Sequence, residues 1–203
     1  MIFQYRVMLG VLFFIILGLV DYWRHPSNPR RAKEYLFLFS CAGIAMAYGV
    51  VHDFVTYHIS PDYFIWGKGI ESAVDGFNLD VVKLALMAAW SAGLIAGVVL
   101  LIANNPRRGQ PQLSYPALYS QGLVPLGGSM VFGGTFGLLC FAFALRFSDY
   151  LPNLQDSPAE RRFMTTWGIH VGSYLGGAVG LILAAVRITR RRKQWPSFRN
   201  SGQ

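Results

Sequence analysis

The chain is poor in charge and nearly free of cysteine. Charged residues make up 14% of its 203 positions, whereas soluble domains carry about 25% charged residues. The composition therefore argues against a soluble domain. The two cysteines, Cys41 and Cys140, lie inside apolar segments and lack the spacing of metal ligands, so we expect packing residues and no disulfide framework.

Signatures of several function classes are also missing. The sequence has no His-x-x-x-His, no Glu-x-x-His pair and no cysteine motif for haem attachment. None of the glycines follows a strand, which excludes dinucleotide-binding and phosphate-binding loops. The absence of a recognisable nucleophile disfavours an enzyme, and the absence of charges near the middle of the apolar segments disfavours a transporter or channel.

What the chain has instead is long apolar segments. A helix needs about 20 mostly apolar residues to cross a bilayer. Five segments approach or exceed that length, over residues 3–23, 35–55, 80–103, 123–146 and 163–187. We therefore predict an all-α, polytopic transmembrane helical bundle with about five spanning helices, forming a single integral membrane domain over residues 1–203. A cleaved signal peptide is disfavoured, because only Arg6 supplies a basic region and no small-x-small site precedes Asp21.

Positive charge is concentrated in alternate loops. Basic residues follow segments one, three and five, whereas the intervening loops are mainly acidic. Because basic loops tend to stay in the cytoplasm, the pattern predicts an outside N-terminus and a cytoplasmic C-terminus. The basic tail, residues 188–203, is expected to contact anionic lipid rather than nucleic acid. The expected partner is the lipid bilayer, with other membrane proteins or a homo-oligomer left open.

Small residues recur at every fourth position on three of the predicted helices. Such ridges let helices approach closely in lipid. We therefore expect helices three, four and five to form a tight core. The residues concerned are Ala85, Ala89, Gly93 and Gly97 on helix three, Ser129, Gly133 and Gly137 on helix four, and Gly168, Gly172, Gly176 and Gly180 on helix five.

Two short motifs predict where helices begin. Ser157 to Glu160 form a capping box with proline at the first helical position, so helix five is expected to start there and to run about 30 residues. Ser60-Pro61-Asp62 is typical of a cap that opens a short helix. The aromatic stretch that follows, residues 63–66, is expected to lie along the outer membrane interface.

A group of ionisable residues lies near the outer ends of the predicted spans. Counting about 20 residues from the cytoplasmic ends puts His52 close to the outer boundary and His170 about one turn beneath it. Ionisable residues at this depth tend to face a cavity or one another. We take His52, Asp53 and His170 as candidate metal ligands. His58, Asp62 and Tyr174 complete a wider candidate ligand-binding set.

Three interpretations of this group stay open at this point. The histidines could be structural, they could hold a transition metal or bracket a haem, or they could form a proton-linked or substrate-binding site. His170 lies about 200° around its helix from the ridge of Gly168 and Gly172, at 100° per residue. A shared site therefore requires contact between helices two and five.

The run from His52 to Phe64 resembles a known pattern. It is similar to His-Asp-x-x-Thr-Tyr-x-Ile-Ser-Pro-Glu-Tyr-Phe, found in a family of uncharacterised bacterial multispanning membrane proteins, with Asp62 in place of the glutamate. The stretch from His170 to Gly177 is similar to their last helix. The resemblance implies a multi-pass protein of the bacterial inner membrane and supplies no activity. We expect a non-enzymatic membrane protein that binds a ligand or metal at its extracytoplasmic face, the alternative being a metal-dependent enzyme or a haem or redox subunit using His52 and His170.

Overall fold

The computed structural model describes residues 2–105, 111–143 and 158–194, and these residues form helices without any strand. Five long helices follow one another along the chain: α1 (Ile2–Arg24), α2 (Arg30–Ile59), α3 (Leu79–Ala103), α4 (Tyr115–Phe143) and α5 (Pro158–Gln194). The loop between α2 and α3 contains a short π-helix (Tyr63–Gly67) and a short 3-10 helix (Glu71–Asp75).

The helices are long enough and apolar enough for a polytopic membrane protein. Among the described residues, α2, α3, α4 and α5 each qualify as a membrane span by length and composition. α1 has 23 residues and an apolar sequence, and its large side chains are mostly exposed. The all-helical class predicted from sequence is therefore confirmed, with four described helices that are suited to cross a membrane. Several helices extend beyond the predicted segments, because their polar ends continue the helix past the apolar stretch.

Glycine determines how α4 and α5 pack. Side chains at Gly168, Gly172, Gly176 or Gly180 would collide with the backbone or side chains of α4, and side chains at Gly133 or Gly137 would collide with α5. Gly176 and Gly128 approach each other backbone to backbone. The predicted packing role of these glycines agrees with this geometry, which brings α4 and α5 together along their length.

The small-residue ridge of α3 has a different partner from the one expected. A Cβ atom on Gly93 would lie 2.6 Å from the Cα of Ala42, and one on Gly49 would lie 2.8 Å from the Cβ of Ala89. The ridge therefore packs on α2, and the prediction of a tight core of helices three, four and five was wrong. The reason is that α2 carries small residues of its own opposite the ridge. The fold consists of two tight pairs, α2 with α3 and α4 with α5.

A cavity of about 460 Å³ separates the two pairs. α3 and α4 contact each other little, so this space is open between them. Its walls are largely alanine, glycine and leucine, and one end carries His52, Asp53, Lys68 and His170.

The aromatic loop between α2 and α3 folds inward. The expected short helix is present, but Tyr63 and Phe64 are buried among Tyr57, Phe163 and neighbouring apolar residues instead of lying along the interface. Only Trp66 at the end of the stretch is largely exposed. The prediction for residues 63–66 therefore fails for its first half, because these rings find partners on α2 and α5. They form a cap over the ends of both helices.

α5 begins where the sequence signal placed it and ends later than expected. The helix starts at Pro158 and runs 37 residues to Gln194, so residues 188–194 of the predicted tail are helical. Arg192 is buried and donates from its guanidinium to the carbonyls of Ala103, Asn105 and Pro111. Part of the basic tail thus closes the end of α3. The rest of the tail, like Ser157 of the predicted capping box, lies outside the described residues.

Candidate functional site

His52, Asp53 and His170 converge at one place in the fold. His52 and Asp53 lie about two turns before the end of α2, and His170 lies about three turns into α5. The glycine face of α5 is occupied by α4, so His170, on the other side of the helix, is turned toward α2. The contact between helices two and five that a shared site requires is present.

The three side chains are within reach of a single ion. His52 Nδ1 lies 3.1 Å from Asp53 Oδ1, and His170 Nε2 lies 3.9 Å from the same oxygen. One donor atom from each residue can be chosen so that all three lie within 4.8 Å of one another. Asp53 and His170 are buried, and His52 is half-buried at the cavity wall.

A serine fixes the orientation of the His52 ring. The Ser173 hydroxyl lies 3.2 Å from the carbonyl of Ser129 and 3.2 Å from His52 Nε2, so it forms a hydrogen bond with the ring. The other ring nitrogen of His52, Nδ1, faces the Asp53 carboxylate at 3.1 Å.

A proton or a metal ion can join His52 to Asp53. In the neutral ring that carries its hydrogen on Nδ1, this nitrogen donates to the carboxylate, whereas in the other tautomer Nδ1 presents a lone pair that can bind a metal beside the carboxylate. With Nδ1 on a metal, Nε2 would donate to Ser173, and metal-bound histidines characteristically make such a bond with their second ring nitrogen.

His170 is held by contacts on two sides. Its ring stacks on Tyr63 with centroids 4.7 Å apart, and its Nε2 lies 3.3 Å from the hydroxyl oxygen of Thr56. Thr56 also donates to the backbone carbonyl of His52 at 2.9 Å, so the contact links His170 to α2. Burial raises the pKa of Tyr63 above its ordinary value, and the nearby Tyr174 and Asp53 add to the rise, so the stacked ring is a neutral phenol.

The remaining candidate residues lie farther out. His58 is exposed, and its Nδ1 donates to the carbonyl of Phe54 on its own helix at 2.8 Å. Within the described residues, Asp62 makes no hydrogen bond or ion pair with His52, Asp53 or His170. Tyr174 lies at the cavity, with its ring 6.2 Å from that of His170. The core of the site is thus the three-residue set, with Tyr174 at its edge.

Three contributors to the site lie outside the candidate set predicted from sequence. Ser173 shares a helix face with His170, as its spacing in the sequence indicates, and Thr56 lies one helical turn after His52, so helical spacing could have added both to the set. Lys68 reaches the site from the loop, where its ammonium lies 5.3 Å from the centroid of the Tyr63 ring. Its position depends on the inward fold of the aromatic loop, for which the sequence has no signal.

The donor set fits a small transition-metal ion better than a haem. Tetrahedral zinc with bonds of about 2.0–2.2 Å holds its ligand atoms about 3.3–3.6 Å apart, which these side chains reach by shifts on the order of 1 Å. The rings of His52 and His170 meet edge to face with centroids 4.6 Å apart. With each imidazole nitrogen about 2 Å from the iron, axial rings on the two faces of a porphyrin would lie farther apart than this. The two histidines in this arrangement do not bracket a haem.

Comparison of the chain with protein-family models, with curated proteins and with solved structures finds no match.

Proposed function

We propose that the chain is a five-span protein of the bacterial inner membrane that binds a transition-metal ion through His52, Asp53 and His170 beneath the extracytoplasmic surface. The observation that carries the proposal is the convergence of these three donors from two helices. Two imidazoles and a carboxylate form a ligand set that suits zinc and related divalent ions.

Two further features of the site support a metal. The Nδ1 of His52 faces a carboxylate oxygen, and its Nε2 bonds to Ser173, whose oxygen can accept from a metal-bound ring. The ligands are also held by neighbours that orient them, since Tyr63 stacks on His170 and Thr56 contacts it. Such supporting contacts raise the affinity of a metal site.

We further propose that this site lies on the outer side of the membrane. With α1 as a fifth span and the basic loops in the cytoplasm, the loop between α2 and α3 is extracytoplasmic. The test introduces Val74→Cys, exposed in that loop, or Asn28→Cys, between α1 and α2, into a chain whose Cys41 and Cys140 are replaced by serine. We expect a membrane-impermeant thiol reagent added to intact cells to label position 74 and not position 28. The reverse labelling would invert the topology and place the site on the cytoplasmic side.

The metal itself is tested by mass spectrometry of the detergent-purified protein. We expect about one equivalent of a divalent transition metal in the wild type, and loss of it in His52→Ala and in His170→Ala. His58→Ala is the matched control, because His58 lies on the same helix as His52 but is exposed and bonded to its own backbone. Equal metal content in all four proteins, or none in the wild type, would refute the proposal.

A metal-dependent membrane enzyme is the second candidate. Catalytic zinc sites characteristically have three protein ligands and leave a fourth position for water or substrate. The His52, Asp53 and His170 set has three donors, and it borders a cavity through which a substrate could reach the ion. This candidate would be supported if added zinc, and not magnesium, restored turnover of an ester or amide lipid substrate by metal-stripped protein.

A further inference from the structure

We propose that the cavity between the two helix pairs binds a single-chain amphiphile with an oxyanion head, of which a long-chain fatty acid is the simplest example. The head group would lie at His52, His170 and Lys68, and the hydrocarbon chain of the amphiphile would lie along α3. This inference deepens the proposed function, on which it rests for the coordination of the head group. The proposed position of the hydrocarbon chain rests on the cavity alone.

The shape of the cavity fits one hydrocarbon chain. Its lining extends from Leu84 to Leu100 on α3 and from His170 to Leu181 on α5, which are distances of about 24 Å and about 16 Å at 1.5 Å per residue. A volume of about 460 Å³ spread over these lengths gives a mean cross-section of about 20–30 Å². Such a section admits one alkyl or isoprenoid chain lengthwise and excludes a two-chain lipid.

The walls of the cavity are made apolar and smooth by small side chains. Ala88, Ala92 and Ala96 follow one another at helical spacing on α3 and leave the space that larger residues would fill. Opposite them, α4 contributes Gly122 and Leu126. Filling this space with hydrocarbon removes apolar surface from any water within it and restores van der Waals contacts across the gap.

The polar end of the cavity has the charge to receive an anionic head. The Lys68 ammonium is held over the Tyr63 ring, which in turn stacks on His170. Among the described residues no carboxylate lies within 4 Å of this ammonium. A divalent ion at the site would outweigh the single charge of Asp53. An oxyanion would therefore meet a net positive environment at this end and hydrocarbon elsewhere.

The cavity opens sideways between α3 and α4. Ile95 and Leu123 line it and yet are 60% and 59% exposed. Both lie in membrane-length helices, so the opening faces the hydrocarbon of the bilayer. An amphiphile can therefore enter from the membrane with its chain still in an apolar environment. Only the head group then has to move to the polar end of the cavity.

The test measures binding of radiolabelled palmitate to the purified full-length protein, with metal content determined on the same samples. Ala92→Trp fills the cavity at a distance from the metal ligands, and Val98→Trp is the matched control, since Val98 is exposed on α3 and does not line the cavity. We expect Ala92→Trp to keep its metal and to bind palmitate at least about tenfold more weakly, and Val98→Trp to bind like the wild type. Unchanged binding by Ala92→Trp would overturn the proposal.

The head group is tested separately. We expect Lys68→Gln to bind palmitate about fivefold more weakly, and methyl palmitate, which lacks the charge, to bind weakly to both proteins. Equal affinity of the wild type for palmitate and its methyl ester would refute the oxyanion assignment. A metal-free wild type that still binds palmitate, and loses it in Ala92→Trp, would contradict the proposed function while supporting the cavity assignment.

Discussion

Replacing Ser173 by alanine tests whether the orientation of His52 matters for metal binding. The Ser173 hydroxyl lies 3.2 Å from His52 Nε2 and 3.2 Å from the Ser129 carbonyl, so it links the ring of a proposed ligand to the backbone of α4. Without this hydroxyl, a metal-bound His52 ring loses the acceptor for its Nε2 hydrogen and is held less firmly in the orientation that the metal needs. Ser173 itself is not one of the proposed ligands.

The size of the effect follows from the hydrogen bond that the substitution removes. Removing the partner that orients a ligating histidine lowers metal affinity about 10- to 100-fold. The lower end of this range applies, because the bond to Ser173 is long and neutral, and because Asp53 still faces the other nitrogen. A tenfold loss corresponds to about 1.4 kcal/mol. The free energy of unfolding should change little, since the substitution leaves a small side chain in a small space.

The assay is competition for zinc with a chelating dye at fixed pH. Thr165→Ala is the control, because Thr165 is a half-buried residue of α5 whose hydroxyl donates to its own helix at Arg161, away from the site. We expect the zinc dissociation constant of Ser173→Ala to rise about tenfold and that of Thr165→Ala to stay unchanged. An unchanged constant for Ser173→Ala would refute the argument that this hydroxyl orients His52 for metal binding.

The other predictions concern the ligands and the framework around them. Asp53→Asn keeps the shape of the carboxyl group but removes its charge, and we expect bound metal to be lost while circular dichroism shows unchanged helix content. Gly176→Ala forces α4 and α5 apart and should destabilise the protein by about 1–3 kcal/mol in a thermal melt, whereas Gly127→Ala, with open space around it, should not. Arg192→Met removes the buried guanidinium that bonds three partly buried carbonyls near the end of α3 and should lower stability by about 1–2 kcal/mol. The exposed Arg190→Met is its control, and equal melting temperatures of the two would contradict the proposed closing role.

The helices could be predicted from the sequence because their signals are local. An apolar stretch of membrane length and the cap at Pro158 each act within a few residues, and α5 starts where its cap predicts. The glycine spacing on α4 and α5 also identified the right contact surfaces. Which helices pair could not be predicted, because the ridge of α3 fits any partner with small residues, and α2 supplies them at Ala42 and Gly49.

The candidate site was predictable in its centre and not in its surroundings. His52, Asp53 and His170 stand out because ionisable side chains are costly inside a span, and the opposite placement of His170 and the glycine ridge indicated α2 as its neighbour. Lys68 was missed because its position depends on how a loop folds. The cavity was missed for a similar reason, since it exists only as the gap left when two helix pairs form instead of a three-helix core.

X-ray absorption spectroscopy of the purified, metal-loaded protein tests the central claim most directly. The account predicts one bound transition metal with two imidazole ligands and at least one oxygen ligand at about 2.0–2.2 Å. It also predicts that one imidazole disappears from the spectrum of any His170→Ala protein that can be loaded at high zinc. A metal shell without imidazole, or a wild-type protein that cannot be loaded, would contradict a metal site formed by His52, Asp53 and His170.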